Sequence, residues 1–150
     1  MAMSTSASRD SVAVALPRAS APQPPSAGSH SSGARRAALG DYGELLASRY
    51  LRDHGYDVLA TKWRCRDGEV DIVATDGATV VIVEVKTRRH QLFGHPREAI
   101  TLRKLARLRR LAAMWVRHQD RSFDDVRIDV ITVLRPPTGA ATLEHLRGVG

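Results

Sequence analysis

Cysteine is nearly absent from this chain. Cys65 stands alone among 150 residues, so no disulfide can close within the chain, and no Cys or His lies beside it at zinc-finger spacing. A disulfide-framed scaffold and a structural zinc are excluded, and a reduced, cytoplasmic setting is expected. Aromatic residues make up 5% of the sequence. Trp63 and Trp115 fall within apolar patterns that read as core, so single-strand binding by base stacking is poorly supported. Nowhere do 18 apolar residues run without a charge, which argues against a membrane-spanning helix. No glycine-rich phosphate loop of the P-loop or dinucleotide type occurs.

Charge of one sign is in excess. Lys and Arg number 23 against 16 Asp and Glu, a net charge of +7. Of the 23 cations 20 are Arg, the side chain whose planar fork grips phosphate in two places. A polyanionic partner, nucleic acid above all, is one reading of this excess. Arg richness beside Ala, Asp and Val richness also follows from a GC-rich genome, so composition leaves both readings open. The length suits a single domain.

Residues 1–33 are dominated by Ser, Ala, Pro and Gly, with too few large apolar groups to offset the entropy of ordering them. A disordered tail is expected there. A secretory signal is the rival reading, since Arg9 precedes an apolar run. That run, Val12 to Leu16, is short for the purpose, follows Asp10 and is cut by Pro17-Arg18. Periodic apolar residues begin at Ala34, and the spacing places one domain over 34–150. Ala38 to His54 reads as a helix with Gly43, Leu46, Ala47, Tyr50 and Leu51 on one arc and Gly55 as its cap. Tyr56 to Thr61, Glu69 to Thr75 and Val80 to Lys86 read as strands, the last two joined through Asp76-Gly77 as a hairpin. Gln91 to Pro96 is a loop. Glu98 to Arg117 is a second helix, with Leu105, Leu108, Ala112 and Trp115 on one side and Arg103, Arg107, Arg110 and Arg117 on the other. Val126 to Leu134 is a strand, and Ala141 to Leu146 a strand or short helix. The order α-β-β-β-α-β implies an α/β (α+β) fold in which helices flank a central mixed sheet.

The chemistry concentrates in Gly68-Glu69-Val70-Asp71 and Glu84-Val85-Lys86. Strand parity puts Glu69 and Asp71 on one face, and Glu84 and Lys86 on one face of the next strand. A two-residue loop at Asp76-Gly77 makes Asp71 and Glu84 diagonal neighbours, whereas a four-residue loop sets them directly opposite. Carboxylates held side by side repel unless a cation or shifted pKa values relieve them. Oxygen ligands suit Mg²⁺ or Mn²⁺, completed by waters and a phosphodiester, and Lys86 would orient a water or stabilise charge on phosphorus. The alternative is an exposed hairpin face with Lys86 in a solvated salt bridge. From Lys86 to Arg110 the chain carries nine cations, among them Arg88, Arg89, Arg103, Lys104, Arg107 and Arg110, and one acid, Glu98. Such a run fits a phosphate-gripping rim beside the acids. Glu44, flanked by Gly40, Gly43 and Ala47, reads either as a further acid reaching the sheet or as a surface residue in an i,i+4 contact. His54, His90, His95, His118 and His145 lack ligand spacing and read as loop or surface residues, and Cys65 as a passive strand residue.

These residues, with Gly40-x-x-Gly43-Glu44-x-x-Ala47, Phe93-Gly94-x-Pro96-x-Glu98-Ala99, Lys104 and Arg127-Ile128-Asp129-Val130-Ile131, resemble the YraN-type family, largely uncharacterised small bacterial proteins of restriction-endonuclease-like fold often described as predicted nucleases. The resemblance covers Ala38 to Leu146. It implies a PD-(D/E)xK core in which Asp71, Glu84 and Lys86 carry the motif, Glu44 joins the acids, and Asp71, Glu84 and Glu44 bind the metal. It implies a Mg²⁺- or Mn²⁺-dependent nuclease acting on DNA, with a structured or branched substrate suggested by analogy to resolvases. A nucleic-acid-binding protein that does not cut, and an RNA-directed relative, are the alternatives. Two-strand cutting by a one-site domain requires two copies, which leaves a homodimer open.

Overall fold

The computed structural model describes residues 32–90 and 100–150 and the backbone of 12–15. Its elements run β1 (Val12–Ala15), α1 (Ser32–Asp53), β2 (Asp57–Cys65), β3 (Gly68–Asp76), β4 (Thr79–Arg88), α2 (Leu102–Arg117), β5 (Asp125–Leu134) and β6 (Thr142–Leu146). The strands form one mixed sheet in the order β1-β6-β5-β4-β3-β2. Only β4 and β5 are parallel among these pairs. A parallel pair needs a long crossover, and α2 supplies it. The order of elements expected after residue 34 is therefore present, with the last segment a strand. No described helix is long and apolar enough to cross a membrane.

Among the described residues, each face of the sheet is covered by one helix. Leu46, Tyr50 and Leu51 of α1 pack on Ile72, Val81, Val83 and Ile131, while Leu105, Leu108, Leu111 and Trp115 of α2 pack on Val73, Val80, Ile82 and Ile128. Adjacent β4 residues thus enter opposite cores, as the near-continuous apolar run of a strand covered on both faces requires. Burying side chains such as Ile82 or Leu111, both fully enclosed, contributes about 1.5–3 kcal/mol each.

Several boundaries differ from the sequence reading. Helix α1 starts at Ser32 rather than Ala38, its added turns all but wholly exposed; Ala and Arg carry them by propensity, which a search for an apolar arc does not register. Helix α2 begins after Thr101, whose hydroxyl accepts the Lys104 N–H at 3.2 Å. The Gln91–Pro96 loop and the start expected at Glu98 lie outside the described residues. Within the stretch expected to be disordered, the backbone of Val12–Ala15 pairs antiparallel with β6, covering the edge of that strand. The remainder of 1–31 is outside the described residues.

His145 also departs from expectation, being buried rather than at the surface. Its Nε2 lies 2.9 Å from Asp129 Oδ2. Asp129, fully enclosed, further accepts from Arg127 Nε (2.9 Å) and the Gly148 N–H (2.9 Å), and Arg127 reaches on to Asp76 and the Tyr56 hydroxyl. Burial alone would raise the Asp129 carboxyl, but these donors outweigh it and hold it below the ordinary value.

Candidate metal and nucleic-acid site

The β-turn between β3 and β4 fixes where the acids meet. Asp76 pairs with Thr79, leaving Gly77-Ala78 as the two loop residues, one position later than Asp76-Gly77. Gly77 takes φ +62°, as a glycine at the first central position of a hairpin turn does. The resulting register continues to Ile72–Val83 and, extended by one residue, sets Asp71 opposite Glu84. The ladder stops there. β4 runs on beside β5 as far as Arg88, so the Val85 N–H on the vacated side has no strand partner, and Asp71 Oδ2 accepts it at 2.8 Å.

Four elements supply the site around this parting of strands. Glu84, buried, offers Oε1 to Lys86 Nζ at 2.9 Å and to the ammonium of Lys104 from α2. Glu44 arrives from α1. Its approach depends on Gly43, where an added methyl would overlap the Thr87 hydroxyl of β4. One carboxylate oxygen each from Glu44, Glu69 and Asp71 lie within 4.8 Å of one another. On the α2 side a recess of about 160 Å³ is lined by Glu69, Asp71, Glu84, Lys104, Arg107 and Leu108. On the α1 side Glu44, Asp71, Glu84 and Lys86 line a second, of about 360 Å³, together with Arg36, Gly40 and Thr87. The wall common to both is Asp71 and Glu84.

The electrostatics are unbalanced. Burial, then the charge of Glu84, pushes the Asp71 carboxyl up to about 6 against the opposing Val85 N–H. Burial likewise raises Glu44, partly offset by Lys62. Burial lowers Lys104, and its bond to Glu84 only partly opposes this. Lys86 is raised, because its contacts with Lys104 and Glu84 outweigh its burial.

Glu44, Asp71, Glu84 and Lys86, all named from the sequence, stand together. Glu44 is half-buried within the cluster rather than on the helix surface. Of the expected phosphate contacts, Arg107 lines the α2-side recess, its guanidinium lying where a Cβ on Gly68 would sit. Arg103, Arg110 and Arg89 are exposed, and Arg88 is half-buried. Lys104 departs from the reading as a rim residue: it is half-buried on Glu84. Glu69 was not singled out as a ligand, although the Glu-x-Asp parity that places it beside Asp71 is visible in the sequence. Lys62, whose ammonium touches Asp41 and lies 3.7 Å from Glu44, has no motif to mark it.

Comparison with known proteins covers these same residues. The model of the uncharacterised protein family UPF0102 matches residues 43–133, from Gly43 through the candidate acids and lysines into β5. A UPF0102 protein of Beutenbergia cavernae is 58% identical over 113 residues, covering 75% of this chain and 96% of the relative. One from Streptomyces coelicolor is 52% identical over 116 residues, 76% of this chain and 89% of the relative. A third, from Nocardioides sp., is 45% identical over 122 residues, 81% and 98% of the two chains. With the family model spanning more than half the chain and the relatives matched over nearly their whole length, the chain belongs to the YraN-type family, UPF0102.

Proposed function

We propose that this chain is a Mg²⁺- or Mn²⁺-dependent nuclease that hydrolyses phosphodiester bonds in DNA, with structured or branched DNA as its substrate. The observation that carries the reading is the gathering of Glu44, Glu69 and Asp71 within 4.8 Å, beside Glu84 and Lys86 and against a helix rich in Arg. The donor set fits such an ion: every ligand is a carboxylate oxygen, the choice of a hard cation. A divalent ion also answers the burial and the repulsion from Glu84 that together raise Asp71. Asp71 and Glu44 would hold it together with Glu69, and Glu84, the remaining expected ligand, would join by giving up an ammonium partner. When bound, it would polarise the phosphoryl group and lower the pKa of an attacking water. Lys86 would orient that water and stabilise charge developing on phosphorus. Arg107, with Arg103 and Arg110 along the same helix, would grip flanking phosphates without reading sequence. The restriction-endonuclease-like core that the family resemblance implies, with which the αβββαβ order agrees, is part of the same reading.

A second reading, a nucleic-acid-binding protein that does not cut, draws on Glu84, whose Oε1 already serves two ammonium groups. A gel assay separates the two. Labelled linear, single-stranded, flap and four-way DNA, and RNA of the same shapes, are incubated with Mg²⁺ or Mn²⁺, beside Lys86→Ala, with binding scored in Ca²⁺. Metal-dependent cleavage of DNA that Lys86→Ala abolishes, while affinity stays within a few fold, is expected. Binding to every shape without cleavage establishes the second reading, and cleavage of RNA alone redirects the substrate.

A further inference from the structure

The chain holds only three lysines among its 23 cations, and all three converge on the carboxylates. Lys86 and Lys104 share Oε1 of Glu84, and Lys62 lies 3.7 Å from Oε2 of Glu44. Every other cation is Arg. Arg presents a rigid fork suited to a phosphate, whereas an ammonium is a compact point charge on a flexible stem. The residue type that most resembles a small cation is thus confined to the place where acids gather.

Lys62 is also held in an unusual backbone conformation. Among the described residues it is the only non-glycine with positive φ, at +51°, a region that residues other than Gly, Asn and Asp seldom occupy. It lies inside β2 rather than in a turn. The β2–β3 ladder passes over it, pairing Thr61 with Ile72 and Trp63 with Val70 and leaving Lys62 and Asp71 unpaired between them. Alternation along β3 breaks at this point: Ile72 and Ala74 enter the α1 core, but Val70 enters the α2 core. The irregularity sits beside Asp71 and directs an ammonium between Asp41, its hydrogen-bonded partner, and Glu44, 3.7 Å away. Such departures from local preference persist where surrounding structure enforces them.

We propose that Lys62 is a positioning residue of the site, an internal counter-cation that holds the Glu44 carboxylate beside Glu69 and Asp71 and competes with a divalent ion for it. Lys104 does the same for Glu84 from α2. The inference rests on the metal-dependent reading above. Its consequence is coupling: a divalent ion takes Glu44 from Lys62, leaving the ammonium on Asp41 with room for an arriving phosphate, so ion and nucleic acid each favour binding of the other.

The test is calorimetric titration of Mn²⁺, without DNA, into the wild type, Lys62→Asn, Glu44→Gln and the double variant. Asn tolerates the left-handed backbone, and Lys62→Gly, free of that strain, serves as a second variant should Lys62→Asn not fold. Removing the ammonium is expected to tighten Mn²⁺ binding about threefold, the scale of a lost exposed ion pair. Glu44→Gln is expected to erase that gain, because Lys62 acts through Glu44. Binding that is unchanged or weaker in Lys62→Asn, or a gain that survives Glu44→Gln, overturns this inference while leaving the metal-dependent reading in place. A wild type that takes up no Mn²⁺ removes that reading, and the inference with it.

Discussion

Asp71 and Asp129 sit on the same sheet with β4 between their strands, and the fold treats them oppositely. Asp129 faces α1 and is saturated: Arg127, His145 and the Gly148 N–H surround it, and its carboxyl is held below the ordinary value. Asp71 stands between the α1-side and α2-side recesses, keeps one backbone donor and meets further carboxylates, and its carboxyl is pushed up to about 6. A buried acid that serves stability is given its counter-charges within the chain. One left short of them marks a place where charge from outside is expected.

Breaking the saturated side carries the largest effect. Asp129→Ala leaves the Arg127 guanidinium beside an emptied pocket, and urea denaturation should show a loss of about 3–5 kcal/mol. Asp71→Asn keeps an oxygen for the Val85 N–H and removes a repelled charge. Without metal it should stabilise the protein at neutral pH, on the order of 2 kcal/mol by the same denaturation curves, while abolishing metal-dependent cleavage. A clear loss of stability would instead assign Asp71 a structural salt bridge.

The two acids also predict a pH profile with limbs of opposite sign. Asp71's folded pKa lies above its unfolded 3.8, at about 6, so its destabilisation is full above pH 6 and is relieved as pH falls from 6 toward 3.8. Glu44, raised as well, adds to that limb. Asp129, with a depressed folded pKa, contributes stability that is full above its unfolded value and is lost as pH falls through the folded one. Metal-free stability should therefore rise on mild acidification and collapse on further acidification, as read by thermal melts across pH. Saturating Mn²⁺ should flatten the first limb alone. A metal-free profile that only falls from pH 7 downward would contradict the raised Asp71.

How much of this was legible in the sequence follows from which interactions are local. Strand parity and the glycine-containing turn placed Asp71, Glu84 and Lys86 on one face, because a hairpin is a short-range object. Glu44 was legible as a candidate through its small neighbours Gly40 and Gly43, which foretell close packing without saying against what, and through the family resemblance. His145 was misjudged because its partner, Asp129, is set by the β5–β6 register, and nothing in its neighbours announces burial. The contact of Lys62 with Glu44 and the pairing of Lys104, itself named as a phosphate contact, with Glu84 were opaque for the same reason: one depends on an irregularity in β2, the other on how α2 is rolled over the sheet. The first turns of α1 were missed because exposed Ala and Arg carry no apolar period.

The smallest expected effect concerns the cations, and it sharpens the same contrast. Arg127 is committed to Asp129 and Asp76, so its charge is spent inside the protein. Arg103 and Arg107 are exposed on α2, and Arg107 borders the recess that holds Asp71 and Glu84. If these two contact phosphates, each releases roughly one condensed counterion, and the slope of log affinity against log salt falls by about 0.9 for each contact removed. Arg103→Ala with Arg107→Ala should therefore flatten that slope by about two, measured by fluorescence anisotropy in Ca²⁺ over a salt series. The loss should be uniform across DNA sequences, because phosphate contacts carry no base information. An unchanged slope would show that this helix face does not meet the backbone. The acids would then have to meet their substrate from the α1 side, where Arg36 and Lys86 line the other recess.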